Sequence, residues 1–252
     1  MEIRLVRHAT LLVTILGRRL LVDPMLADPG TAPPVANSPN QRPNPLVPLP
    51  APAGEILAGV DAVLVTHTHR DHWDDAAAAA LPKTLPLFGQ PEDEAKFRAA
   101  GFTDVRPVVR TAEWDGVTLH RTGGQHGRGE VGRRLAPVSG FVLRAGGEPV
   151  LYIAGDTVWC PEVEDALREH APAVTVVNAG AAQFLEGGPI TMTAEDVAVV
   201  ARAAPATRIV AVHMEAINHC VLPRSELAAA VRAAGLTARV AIPGDGERAA
   251  PA

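Results

Sequence analysis

Short, almost continuous apolar runs alternate along this chain with segments whose apolar residues recur every three or four positions. The runs near 2–7, 10–15, 19–23, 62–66, 117–121, 139–145, 150–154, 174–178, 208–212 and 237–241 predict strands. Helical spacing predicts helices near 74–80, 91–100, 162–169, 193–203 and 223–234. Thr193 is placed to cap one of these, with Glu195 and Asp196 in its first turn, where the helix dipole favours acids. Strands alternating with helices in this way predict an α/β class.

The strand pattern carries a faint repeat. Residues 3–23 read as a hairpin ending in Asp23, and residues 140–156 read as another ending in Asp156. Each is followed downstream by an apolar strand, 63–66 in the first half and 174–178 in the second. The stretch from about 28 to 54 breaks the pattern: it is rich in Pro, with Asn and Gly, and has almost no periodicity. A long loop of this kind inside a compact domain is either functional or disordered.

Composition changes the picture little. At 252 residues, 47% hydrophobic with net charge −5, the chain reads as an ordinary soluble globular protein of one large domain or two small ones, able to bury a substantial core. No basic surplus or interleaving of Arg with aromatics points to nucleic acid. The N-terminus passes directly into a strand pattern without a secretory signal, and no apolar run is long enough to span a membrane, so a cytoplasmic protein is expected. Cys160 and Cys220 imply no disulfide framework and read as buried structural thiols.

The chemistry concentrates in His67-Thr68-His69-Arg70-Asp71-His72, directly after the apolar run 63–65. Side chains alternate along an extended backbone, so positions 67 and 69 project the same way. Two neutral imidazoles on one face are half of a divalent-metal site, and Asp71 and His72 follow where the chain turns. The bland alternative is a solvated polar loop with chance histidines; the density of ligands argues against it.

This His-x-His-x-Asp-His pattern resembles the signature of the metallo-β-lactamase superfamily. The resemblance implies another His in mid-chain, an Asp after a later strand and a final His after a strand near the C-terminus. His126 in Gln125-His126-Gly127, Asp156 after 152–155 and His213 after 209–212 fill these places in order. The opening Val6-Arg7-His8-Ala9-Thr10, the pair Asp23-Pro24 and Thr191-Met192-Thr193 are similar to the L-ascorbate-6-phosphate lactonase-like branch, with Arg7 where that branch has Gly. The resemblance runs from about residue 2 to 245. It implies a four-layer αββα sandwich over the single domain 1–252, with the Pro-rich loop near the metal cleft.

It also implies a cofactor of two divalent metal ions. His67, His69 and His126 would hold the first, Asp71, His72 and His213 the second, and Asp156 would bridge them. Nitrogen and oxygen donors without thiolate suit zinc, the first expectation, and also manganese or iron. A hydroxide shared by two metals would attack a carbonyl or phosphoryl centre of a small-molecule substrate: a lactone, an amide or a phosphoester. Asp71 would also orient the nucleophile and carry a proton to the leaving atom. His219, six residues past the last ligand, reads either as a catalytic donor to the developing oxyanion or as a capping histidine.

Three residues are candidates for touching substrate: Arg42 and Asn44 in the Pro-rich loop, and Asn178 at a strand end, with plain structural roles as the alternative. Arg128, Arg133 and Arg134 could recognise an anion or lie in a solvated loop. His8 reads as orienting a loop or a ligand carboxylate, and His120 and His170 read as no ligands. The competing functions are a mononuclear iron oxygenase on the same fold and a metal-dependent phosphodiesterase or nuclease. The filled ligand set disfavours the first, and the acidic balance disfavours the second. A homo-oligomer is compatible with the sequence.

Overall fold

A computed structural model describes residues 1–249. The first half of the described chain forms β1 (Glu2–Arg7), β2 (Thr10–Ile15), β3 (Arg18–Val22), α1 (Ala53–Leu57), β4 (Ala62–Val65), α2 (Asp75–Ala80), β5 (Leu87–Gly89), α3 (Glu94–Ala99) and β6 (Val105–Pro107). The second forms β7 (Thr111–Trp114), β8 (Val117–Thr122), α4 (Gly129–Leu135), β9 (Gly140–Ala145), β10 (Leu151–Ile153), α5 (Pro161–His170), β11 (Val174–Asn178), α6 (Ala194–Ala203), β12 (Arg208–Val212), α7 (Arg224–Ala233), β13 (Val240–Ala241) and β14 (Arg248–Ala249).

Two seven-stranded sheets result, in the orders β14-β1-β2-β3-β4-β5-β6 and β13-β12-β11-β10-β9-β8-β7. In the first, β1 to β3 pair antiparallel and β3 to β6 parallel. In the second, β7 to β10 pair antiparallel and β10 to β13 parallel. The two sheets therefore repeat one plan, with β3 and Asp23 in the first matching β10 and Asp156 in the second.

The inner faces meet in one core, where Leu5, Val13, Leu20, Val22 and Leu64 pack with Leu119, Phe141, Leu143, Ile153 and Val212. The outer face of the first sheet packs on α1 to α3 through Ile56, Ala77 and Phe97. The outer face of the second packs on α5 to α7 through Val163, Leu167, Val197, Val200, Leu227 and Val231. Strands buried on both faces explain the continuous apolar runs. The architecture is the four-layer αββα sandwich.

The differences from expectation lie in short elements. The helix expected over 91–100 is a 3-10 turn, Pro91–Asp93, followed by α3. Strands β5, β6, β7 and β14 and helices α1 and α4 are each too brief to show a period. Only Val240–Ala241 of the run 237–241 enters the ladder, because Arg239 and Val240 both donate back to the carbonyl of Leu236.

The Pro-rich loop is pinned at both ends of its path. Arg7, fully buried, donates to the carbonyls of Val47 (2.9 Å), Met25 (2.8 Å) and Ala27 (3.0 Å). Burial lowers its pKa, and Asp74, Asp245 and Asp28 oppose that shift. On the far side Asn218 accepts from the backbone of Val35 (2.8 Å) and the amide of Asn44 (2.8 Å). The loop thus lies against the turn that carries His219. No helix among the described residues is long and apolar enough to cross a membrane.

Candidate metal centre

The carboxyl ends of β1, β3, β4, β8, β10 and β12 share one edge of the sandwich, and each is followed by a site residue: His8, Asp23, His67, His126, Asp156 and His213. Ligand sites form at such edges in α/β folds. His72 lies in a tight turn after β4 in which the N–H groups of His72 and Trp73 both donate to the carbonyl of His69. Trp73 anchors that turn from below, edge-on to Phe97 at 5.2 Å and Phe102 at 5.5 Å. Asp74 then caps α2 through Ala77 N (2.7 Å) and ties down Ala27 N (2.8 Å).

The donor atoms converge in overlapping groups: His67, His69 and His126; His67, His72 and Asp156; and His8, Asp71, His72 and His213. His67 Nε2 lies 3.0 Å from His69 Nδ1. His72 Nε2 lies 3.3 Å from His213 Nε2. Asp156 Oδ2 is 3.3 Å from His72 Nε2, 3.4 Å from His126 Nε2 and 3.8 Å from His67 Nε2, while its Oδ1 is 3.3 Å from His213 Nε2. Asp71 Oδ2 is 3.4 Å from His213 Nε2 and 3.8 Å from His72 Nε2. All seven residues expected as ligands are brought together.

These spacings suit a metal. Ligand atoms held tetrahedrally about 2.1 Å from one zinc ion lie roughly 3.4 Å apart along each edge. Orientation agrees. His72 Nδ1 donates to Asp23 Oδ2 at 2.8 Å, and His126 Nδ1 donates to the carbonyl of Ile190 at 2.8 Å, so both present an Nε2 lone pair to the centre. His67 Nδ1 meets Thr66 Oγ1 at 3.1 Å, and His213 Nδ1 lies 3.5 Å from Cys220 Sγ. Lone pairs pointed at one another at hydrogen-bond distance need a cation between them.

Electrostatics say the same. Burial opposes charge on His72, but Asp156, Asp23 and Asp71 outweigh it and hold the imidazole well above its ordinary range. Burial brings His126 down to about 4 and His8 down to about 3, in His8 with help from His213. Burial and His72 hold His67 well below its ordinary value. Asp71 and Asp156 stay well below the usual carboxylate range, because the surrounding imidazoles outweigh the burial that would raise them. Without metal, charge is favoured on Asp71, Asp156 and His72 and disfavoured on His8, His67 and His126, and a divalent cation would displace the extra proton of His72.

Three site residues, His8 (φ 61°), Asp23 (φ 44°) and His213 (φ 70°), hold left-handed backbone. Such conformations cost about 1–3 kcal/mol each and persist where the surroundings enforce them. His213 N donates to the His8 carbonyl at 2.9 Å, and the two rings lie 3.6 Å apart.

The Beta-lactamase superfamily domain family matches residues 18–214. The chain belongs to the metallo-β-lactamase superfamily. UPF0173 protein YddR of Bacillus subtilis (strain 168) is 42% identical over 250 residues, with 98% of each chain covered. Within the superfamily the chain is thus a member of the UPF0173 family of metal-dependent hydrolases. Two solved structures share its whole fold. One, from Veillonella parvula DSM 2008 and described as a possible metal-dependent hydrolase, is 36% identical with a TM-score of 0.95 and 98% of both chains covered. The isothiocyanate hydrolase from Delia radicum gut bacteria is 39% identical with a TM-score of 0.94 and 99% of both chains covered.

Beyond these seven residues, Asn178 and Asn44 were candidates for touching substrate or for plain structural roles. Asn178 is buried and donates to Asp156 Oδ1 at 2.7 Å, so it orients that carboxylate. Asn44 is buried with both ends of its amide engaged by Asn218, which fixes the loop. Arg42 is exposed. Arg128 donates to the carbonyl of Trp159, and Arg133 and Arg134 are exposed on α4. His219 is 5% exposed and its Nδ1 has no partner. His8 Nε2 sits 3.1 Å from Asp71 Oδ2, in the orienting place expected of it. Both cysteines are free thiols.

The sequence reading gave Asp23, Thr66 and Ile190 no part in orienting the site. Asp23 accepts from Thr66 N (2.7 Å), Thr66 Oγ1 (2.8 Å) and His72 Nδ1 (2.8 Å). Its match with Asp156 in the repeat was the available signal.

Proposed function

We propose that this chain is a dinuclear metal-dependent hydrolase that adds water to an electrophilic carbon of a small, uncharged substrate. The observation that carries the reading is Asp156, whose Oδ2 faces the nitrogens of His67, His72 and His126 while its Oδ1 faces His213. A carboxylate so placed is shared between His67, His69 and His126 on one side and Asp71, His72 and His213 on the other. Zinc is the first expectation for both positions, with manganese or iron as alternatives. Bound metals would acidify water and polarise the atom under attack.

The protein groups supply the rest. Asp71, held at Oδ2 by His8, keeps an oxygen to orient the attacking water and pass its proton to the leaving atom. A buried polar atom without a partner calls for an explanation, and His219 Nδ1 supports a donor to the oxygen or sulfur that gains charge. The isothiocyanate hydrolase favours carbon electrophiles over phosphoesters for this chain, because its likeness spans both whole chains. For that class the balance is R–N=C=S plus H2O giving R–NH2 and O=C=S, with no oxidant or reductant. Lactones and amides undergo the same addition at carbon.

Mass spectrometry of protein purified without added metal or chelator, followed by a screen of isothiocyanates, lactones, amides and phosphoesters, tests this reading. About two equivalents of zinc or manganese per chain with turnover of a carbon electrophile is the expected result. Iron alone at about one equivalent, without hydrolysis, would replace it with the oxygenase reading.

A further inference from the structure

We propose that a groove beside the metal centre receives an apolar alkyl or aryl substituent of the substrate, so that the enzyme prefers uncharged electrophiles carrying such a group to phosphorylated ones. The catalytic consequence rests on the hydrolase reading above; the binding site does not. The groove has a volume of about 640 Å³. That lies within the range of small-molecule sites.

Its walls hang from site residues. Helix α4 begins three residues after His126, and Gly132 packs on the main chain of Gly127 with no space for a side chain. Gly127, at φ 96°, leaves room in turn for Ile190, whose carbonyl orients His126. The opposite wall is the hairpin closed by the bridge between Gln183 and Pro189. One end of it is tied by Gln183 N to the carbonyl of His219 at 3.0 Å, and the other runs into Ile190. The third wall is Asn37 of the Pro-rich loop, whose carbonyl accepts from Leu185 N at 2.7 Å. The walls are thus continuous with the loops that carry His126 and His219 and with Ile190, which orients His126.

The lining sets the chemistry. Val131 and Leu135 on α4 face Phe184 and Leu185 on the hairpin. Leu185 is 70% exposed, an apolar side chain left in water at the mouth of a concave site. The charged residues of the lining are Glu130, Glu186 and Arg134, a surplus of one negative charge. A phosphate or carboxylate on the substituent would meet that surplus, whereas an alkyl or aryl group would cover the apolar walls.

The test has a binding arm and a turnover arm, both on the protein as purified with its metals. Ligand-observed NMR measures 3-phenylpropanol against 4-(3-hydroxypropyl)benzenesulfonate, which puts a weakly metal-ligating anion at the far end of the substituent, and kinetics compare 3-phenylpropyl isothiocyanate with methyl isothiocyanate. The uncharged alcohol is expected to bind at least about tenfold tighter than the sulfonate. Val131→Trp, which narrows the groove at its α4 wall, and the surface change Leu185→Glu are each expected to weaken the alcohol by about tenfold or more and to lower the phenylpropyl-to-methyl ratio of kcat/KM similarly. Binding with the expected variant losses but no turnover of either isothiocyanate would support the groove and count against that substrate class. Equal or tighter binding of the sulfonate, or wild-type binding of the alcohol by both variants, would overturn the proposal.

Discussion

Replacing Asp23 by Asn removes one charge and exchanges one oxygen for an NH2 group, in a place where every partner is a donor. The Asn carbonyl can still accept from Thr66 N, and the Thr66 hydroxyl can rotate to accept from the new amide. His72 has no such freedom. Its Nδ1–H would face an N–H at 2.8 Å, and the conflict is relieved only if the proton moves to Nε2. That is the atom 3.3 Å from both His213 Nε2 and Asp156 Oδ2, so the relieved imidazole can no longer bind metal. If the tautomer stays, a buried donor goes unpaired at about 1–3 kcal/mol. Changes to such supporting groups cost about ten- to hundredfold in metal affinity, or roughly 1.4–2.8 kcal/mol, so the two routes agree in size. Chelator competition with a zinc indicator measures the effect. The metal ligated by His72 should weaken by that factor while the one held by His67, His69 and His126 is retained. A folded Asp23→Asn protein holding both metals within about twofold of wild type would refute the argument.

Other consequences can be checked alongside. Asp71→Ala, fully loaded with metal, should lose turnover, and wild-type-like kcat would remove Asp71 from the proton path. His219→Asn should retain its metals but lose about ten- to thousandfold in kcat, whereas unchanged kcat would leave His219 a packing residue. In chelated protein His126 and His8 titrate near 4 and 3 against 6.5 unfolded, so stability present above that value should be lost as pH falls through them. His72 runs the other way: its raised pKa gives a contribution complete below 6.5 and lost as pH rises through the folded value. Chelated melting temperatures that stay flat from about pH 7 to pH 4 would contradict this linkage. Arg7→Met leaves three carbonyls of the loop without their donor and should cost about 2–4 kcal/mol in denaturant unfolding, with earlier proteolysis in the loop. Unchanged stability would show that water replaces the guanidinium.

The candidate ligands at 67–72 were legible because their information is local: an apolar strand, then imidazoles at spacing two, then a turn. His126, Asp156 and His213 were legible only through the resemblance, since a single histidine after a strand carries little meaning alone. The supporting groups were not legible at all as such. Asp23 reads in sequence as a hairpin end, and its carboxylate acquires a role only when β3 lies beside β4 and brings Thr66 and His72 to it. The supporting roles of Asn44 and Asn178 were hidden for the same reason. Each looked like a free amide near the cleft, and each has its partner far along the chain: Asn218 for one and Asp156 for the other. The two sheets read clearly where strands are long, and poorly at β5, β6 and β13, where two or three residues are positioned by their neighbours in the ladder.

The repeated sheets divide the ligands unequally: His67, His69, Asp71 and His72 come from the first half, and His126, Asp156 and His213 from the second. On the proposed assignment each ion takes donors from both halves, so the ions act as rivets through the seam of the sandwich. Neither half could hold the pair by itself, and metal would add to the shared apolar core in keeping the halves together. The melting point of the whole chain should therefore climb with free metal concentration, as mass action requires of any ligand that binds only the assembled state. Metal supply would then set how long the protein lasts as well as how fast it works.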